Sequence, residues 1–268
     1  MKQTILFGDR RIEGDALRER AARAASGLAA LGVGAGDRIA VMMRNEPVYL
    51  EVILAADRLG AHLVAINWHF RADEAGHVLS DSGARVLVVH ADLLPQIAAL
   101  VPAGVTVIVV PTPPEIAAAY GIADVPARPA GTLDWPSWRD AHEAWTAPTP
   151  PSLGMMLYTS GTTGRAKGVR RLPGTPEQHD SARRVRMFVG GARPGMRTAI
   201  VGPLYHAGPS SSARLALAQA ELIIVMPPFD AEELLRAVEA ERLTHLALVP
   251  IMLVRLLKLP AATRARYD

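Results

Sequence analysis

The sequence predicts an α/β protein whose mostly parallel sheet is covered by helices on both faces. Three observations predict it. Helical and strand patterns alternate from residue 13 to residue 110, the strand segments are short continuous Val/Ile-rich runs, and the alternation resumes beyond residue 151. Continuous apolar runs between amphipathic helices suit strands buried on both faces.

Glu13–Leu31 carries apolar residues at helical spacing and stops at Gly32. Arg38–Met43 predicts a buried strand. Pro47–Leu59 predicts a helix with proline in its permitted first turn. Ala61–Ile66 is a predicted strand, Arg71–Ser80 a helix, Arg85–Val89 a strand, Asp92–Leu100 a helix and Val105–Val110 a strand. The stretch 111–151 breaks the pattern with nine prolines and with Trp135, Trp138 and Trp145. Proline lacks an amide hydrogen and is excluded from central strands, so this is expected to be an irregular connection pinned by its tryptophans. It divides the chain into a first subdomain, 1–110, and a second, 152–268.

In the second part Leu153–Tyr158 is a predicted strand running into a Gly/Thr/Ser loop. Pro176–Val189 is a predicted helix, Arg197–Val201 a strand, Ser211–Leu217 a helix and Leu222–Met226 a strand. Asp230–Ala240 follows as a helix capped by Asp230, then a strand at Thr244–Val249 and a helix at Pro250–Leu257. No internal repeat at solenoid spacing is present.

At 268 residues with half of them apolar, the chain has ample material for a buried core. No apolar run approaches the roughly 20 residues that span a bilayer, and the first ten residues lack the pattern of a signal peptide. The absence of cysteine excludes disulfides and thiolate metal sites. These features lead us to expect a cytoplasmic protein. A net charge of +3, with arginines dispersed, argues against a nucleic-acid surface. Gly32-Val33-Gly34-Ala35-Gly36 follows a helix and precedes a strand, the reverse of a dinucleotide-binding order. There is no Gly-x-Ser-x-Gly elbow, and His62, His69 and His77 lack metal-ligand spacing.

The informative stretch is Tyr158-Thr159-Ser160-Gly161-Thr162-Thr163-Gly164-Arg165-Ala166-Lys167-Gly168-Val169. Its glycines allow a tight turn that presents backbone amides, its hydroxyls add donors, and Lys167 adds a mobile positive charge, with Arg165 nearby. Such a loop suits a polyphosphate, since each hydrogen bond to a charged group contributes about 1.5–3 kcal/mol. It is not a Walker loop, because Lys167 is followed by Gly168 rather than by Ser or Thr.

These twelve residues resemble the phosphate-binding signature of the adenylate-forming superfamily, which includes acyl-CoA synthetases, luciferases and peptide-synthetase adenylation domains. Ala166 replaces the usual proline, and Arg170-Arg171-Leu172 stands where many relatives carry Ser-His, more like the fatty-acyl-CoA synthetase branch. Gly32–Met43, Leu59-Gly60-Ala61, Ile66-Asn67 and Pro203-Leu204-Tyr205-His206-Ala207-Gly208 resemble further family segments, so the likeness covers essentially the whole chain.

The resemblance implies stacked, mostly parallel sheets and ATP-dependent activation of a carboxylic acid, fatty by branch, with transfer to coenzyme A. It implies ATP contacts from Thr159, Ser160, Gly161, Thr162, Thr163, Gly164 and Lys167, magnesium at Thr159, and acid contacts from Tyr205, His206 and Gly208. Lys167 and His206 are the implied catalytic residues. The family's Tyr-Gly-x-Thr-Glu motif, ribose-binding aspartate and C-terminal lysine do not occur. The chain is therefore expected to be a fragment that turns over nothing alone. Loading of a carrier protein, or a non-catalytic half-synthetase module, are the competing readings. A homodimer is left open.

Overall fold

The computed structural model describes residues 2–159, 166–170 and 174–267. It begins with strands β1 (Thr4–Phe7) and β2 (Arg10–Glu13), helix α1 (Gly14–Ala30), β3 (Arg38–Met42) and α2 (Pro47–Leu59). Next come β4 (His62–Ala65), α3 (Ala72–Ser82), β5 (Val86–His90), β6 (Thr106–Val110), α4 (Pro114–Tyr120), β7 (Leu133–Asp134) and α5 (Trp135–Asp140). The hairpin β8 (Met155–Thr159) and β9 (Lys167–Val169) precedes α6 (Pro176–Val189), β10 (Met196–Ile200), α7 (Ala207–Gln219) and β11 (Ala220–Val225). Helix α8 (Ala231–Glu241), β12 (His245–Leu246), α9 (Pro250–Leu257) and α10 (Ala261–Arg264) end the chain.

The strands form two sheets. A seven-stranded sheet runs β7-β6-β5-β3-β4-β8-β9, and a five-stranded sheet runs β12-β10-β11-β1-β2. Pairing is parallel throughout, apart from β8 with β9 and β1 with β2. Sheet membership crosses the divisions expected at 110 and 151. β8 joins the sheet of the first half beside β4, while β1 pairs with β11 of the second half.

Strand alternation builds the core. Ile39, Val41 and Met43 of β3 and its exit point into a central cluster that also takes α1, α2 and residues of both sheets. Ala40 and Met42 point the other way, into a second cluster with α3. The outer face of the five-stranded sheet, through Ala199, Val201 and Met226, packs on Leu234, Ala237 and Met252. Helix α1 presents the small residues Ala21, Ala24 and Ala25 on its buried face, which lets it approach α2 closely.

Three expectations are corrected and one hairpin is added. Asp92–Leu100 forms two 3₁₀ turns, Leu94–Gln96 and Ala98–Leu100, instead of one α-helix. Pro95 lies in its middle, where it removes an amide donor and disfavours the α region at the residue before it. The stretch 111–151 is less irregular than its prolines suggested. Pro114 and Pro136 occupy first-turn positions that start α4 and α5, where a missing amide costs nothing. Its tryptophans do pin it: Trp135 is fully buried and donates from Nε1 to Glu51 Oε2 at 3.0 Å. The Thr244–Val249 strand shrinks to two residues, because Pro250 starts α9 soon after. The β1–β2 hairpin went unanticipated, although Gly8-Asp9 between Phe7 and Arg10 is a two-residue hairpin turn.

Candidate active site

The β8–β9 hairpin carries the loop of interest. Its register pairs Leu157 with Val169, Tyr158 with Gly168 and Thr159 with Lys167, so the turn leaves from the carboxyl end of β8. The side chain of Thr159 and all of Ser160, Gly161, Thr162, Thr163, Gly164 and Arg165 lie outside the described residues. What is described is how the two legs are held.

Helix α3 clamps both legs. Tyr158 donates its hydroxyl to Asp81 Oδ2 at 2.7 Å. Burial, reinforced by that carboxylate, pushes the Tyr158 phenol well above its usual range. On the other leg, His77 Nε2 lies 2.9 Å from the Ala166 carbonyl. A carbonyl only accepts, so the ring carries its proton on Nε2. Gly168 leaves room for its neighbours: a Cβ there would sit 2.2 Å from Met156 Cε and 2.9 Å from Tyr158 Cζ, so both side chains would have to shift. Lys167 is exposed and makes no ion pair among the described residues. Sequence reasoning set His77 aside as a poor metal ligand and did not consider Asp81. Their spacing of four places both on one face of α3, and that was the available clue.

Tyr205 and His206 sit side by side at the start of α7, ring centroids 4.4 Å apart. His206 caps α7 with extended backbone, and its carbonyl accepts from Ser210 N. Burial moves the two in opposite senses, Tyr205 up and His206 below its ordinary 6.5, because each charged form loses hydration. Gly208 is exposed, and a Cβ there would meet nothing within 4 Å.

The segment bearing these residues is fastened by a residue that sequence reasoning missed. Asn45, buried at the exit of β3, donates from Nδ2 to the carbonyls of Gly202 at 2.9 Å and Met226 at 3.2 Å. Its Oδ1 accepts from Leu204 N at 2.8 Å. One side chain thus ties the carboxyl end of β3 in one sheet to the ends of β10 and β11 in the other. Next to it, the Arg44 guanidinium pairs with Asp92 at 2.6 Å and lies over the rings of Trp68 and Tyr120. Nothing in the primary sequence of Arg44-Asn45 marks these roles; only sheet topology brings their partners together.

Helix α7 packs against β8, and a cleft of about 1020 Å³ opens between α6, α7 and residues 149–157. Met155, Leu157, Met187 and Leu215 make apolar wall, while Asp57 and Arg214 add an ion pair at 3.2 Å. The structure therefore brings Thr159 and Lys167 opposite each other in one hairpin, and Tyr205 beside His206 on the element that borders the cleft. Among the described residues no group of three His, Asp or Glu side chains could hold a metal. None of the described helices is long and apolar enough to cross a membrane.

This arrangement, two mostly parallel sheets with the β8–β9 hairpin at the edge of one of them beside an apolar cleft, is that of an adenylate-forming enzyme's N-terminal part. The chain belongs to the AMP-binding enzyme family, whose model matches residues 2–268. It is 32% identical over 240 residues to a feruloyl-CoA synthase of Amycolatopsis sp, covering 88% of this chain and 43% of that protein. It is 33% identical over 166 residues to a fatty acid–[acyl-carrier-protein] ligase of Streptomyces coeruleorubidus, covering 62% of this chain and 29% of that protein. A solved anthranilate CoA ligase in complex with anthranoyl-AMP superposes with a TM-score of 0.79 at 20% identity, over all of this chain and 50% of that one. The chain thus spans about half or less of the length of the curated relatives it matches.

Proposed function

We propose that this chain supplies the phosphate-binding turn and part of the acid site of an enzyme that activates a carboxylic acid with ATP and transfers the acyl group to coenzyme A. A carboxylate is a poor electrophile, because its charge repels a nucleophile. In the first step its oxygen attacks the α-phosphorus of ATP and pyrophosphate departs, giving an acyl-adenylate. In the second, the thiol sulfur attacks the acyl carbon, the thiol proton is lost to solvent or base, and AMP leaves with the bonding pair.

The observation that carries this reading is the β8–β9 hairpin. Both legs are clamped to α3, yet Lys167 remains exposed with no ion pair among the described residues. An exposed cation at the foot of a clamped leg suits a polyphosphate tail, and its contribution is positioning and charge neutralisation. The turn Ser160–Gly164 with Thr159 would cradle the phosphates. Thr159 would offer a hydroxyl oxygen to magnesium arriving with the triphosphate. When bound, the ion neutralises phosphate charge. Tyr205, His206 and Gly208 would face the acid. Desolvation lowers the His206 pKa from its ordinary value, which favours the uncharged ring beside the reacting carboxylate.

The test is calorimetry of MgATP binding to the chain, together with acid-dependent ATP–pyrophosphate exchange by the complete enzyme. Lys167→Ala is expected to weaken binding and cut exchange by about tenfold or more, on the order of one charge-assisted hydrogen bond. Undiminished exchange rejects the role. A second reading, transfer to a carrier protein, is favoured by the Streptomyces relative. Offering free coenzyme A against a holo acyl carrier protein separates the two.

A further inference from the structure

The cleft between α6 and α7 is apolar along much of its wall, but one polar feature is left partly uncommitted. The Arg214 guanidinium donates from Nε to Asp57 Oδ2 at 3.2 Å, from Nη2 to Asp57 Oδ1 at 3.4 Å and from Nη1 to Ser210 Oγ at 2.8 Å. Guanidinium has five N–H groups, so two have no partner among the described residues. The side chain is 21% exposed and lines the cleft. Asp57 is fully engaged from the other side, because Ser152 Oγ donates to its Oδ1 at 2.6 Å. Arg214 and Asp57 neutralise each other, and Arg183, the other arginine lining the cleft, shares Asp180 with Arg184 at the exposed face of α6. At Arg214 the wall therefore offers donors without a local net charge for a second anion.

Distance along α7 sets the scale. Arg214 lies in α7, eight residues beyond His206, the residue that caps the helix, which is about 12 Å along the axis. An extended chain advances about 1.2 Å per bond, so 12 Å corresponds to about ten bonds.

We propose that Arg214 reads a neutral hydrogen-bond acceptor, a hydroxyl or carbonyl oxygen, at the far end of the acid, about ten bonds from the carboxyl group held near His206. This rests on the acid site lying where the proposed function puts it. A plain alkyl tail of that length would leave the two N–H groups facing hydrocarbon, and a site built around such donors discriminates against the ligand that cannot satisfy them. The cleft is open to water on one side, which lowers the discrimination to about tenfold instead of the much larger ratios of sealed sites.

The test uses the chain as it is and two probes, decanoic acid and 10-hydroxydecanoic acid, with binding followed by calorimetry and by methyl NMR of Met155 and Met187. The expected result is about tenfold tighter binding of the hydroxy acid, with both acids shifting the methionine methyls. Arg214→Met should bring the two acids within about threefold of each other. Arg214→Lys keeps the charge opposite Asp57 but loses the fork, so it should also erase most of the preference in a folded protein. Equal binding of both acids in the cleft of the wild type overturns the inference and leaves the acid site standing. Binding of neither acid overturns both.

Discussion

Asn45 fastens the candidate site through three hydrogen bonds, and Asn45→Ala tests it. The substitution removes both polar atoms of a side chain that satisfies Leu204 N, Gly202 O and Met226 O at 2.8, 2.9 and 3.2 Å. Asn45 is 4% exposed, so water does not readily replace it. An unsatisfied buried donor costs about 1–3 kcal/mol. The two carbonyls lose one partner each but can accept elsewhere, so each adds less. The total comes to about 2–4 kcal/mol, a large part of the roughly 5–15 kcal/mol that holds a typical domain. Urea denaturation followed by fluorescence and circular dichroism measures it as a lowered midpoint at unchanged slope. Native-state exchange of the Leu204 amide should accelerate beyond the global change, because this side chain is its only acceptor among the described residues. A loss below about 0.5 kcal/mol, or a Leu204 amide as protected as before, would refute the claim that Asn45 fastens the Tyr205–His206 segment.

Two further outcomes follow from the geometry. Gly168→Ala should cost about 1–3 kcal/mol, because its Cβ would press on Met156 Cε and on the Tyr158 ring that is bonded to Asp81; a thermal melt unchanged from wild type would show that the hairpin yields freely. His62 is buried, and desolvation, helped by Arg170 and Arg38, holds its pKa below the usual 6.5. Its proton therefore binds the unfolded chain more readily, so the stability it preserves is present above pH 6.5 and lost as pH falls through the folded value. Denaturation at pH 7.5 and 5.5 should show a larger acid loss in wild type than in His62→Gln, and equal losses would place the cause elsewhere.

The alternation of helix and strand was legible because it depends on local periodicity, which the sequence displays directly. Pro47–Leu59 and Pro250–Leu257 match the structure residue for residue, since a proline fixes one end of each. Prolines also misled. Those at 114 and 136 start helices, while Pro95 breaks one, and the sign of the effect depends on position within a turn. Family membership was legible in the loop motif, because small residues, hydroxyls and a lysine carry a chemical meaning without a fold. His77, Asp81 and Asn45 were not, because their partners lie 89, 77 and 159 residues away. Contacts at that range follow from sheet order, and nothing local encodes that β8 inserts beside β4 or that β3 ends against β10.

Strand β8 connects the two halves of the proposed chemistry. Side chains on a strand alternate between faces, and the two faces of β8 serve different neighbours. Met155 and Leu157 line the cleft beside α7, whereas Met156 and Tyr158 pack with the α3 cluster that clamps the hairpin. The acid would thus lie on one face of the strand whose end delivers the phosphate turn, while the other face holds that strand in register. A slip of one residue would exchange the faces, sending Tyr158 into the cleft and Leu157 toward Asp81. The Tyr158–Asp81 bond and the close approach of Gly168 to the Tyr158 ring both oppose that slip. On the proposed reading, strand geometry would set the distance between acid and nucleotide, which a loop alone could not hold to the fraction of an ångström that in-line attack requires.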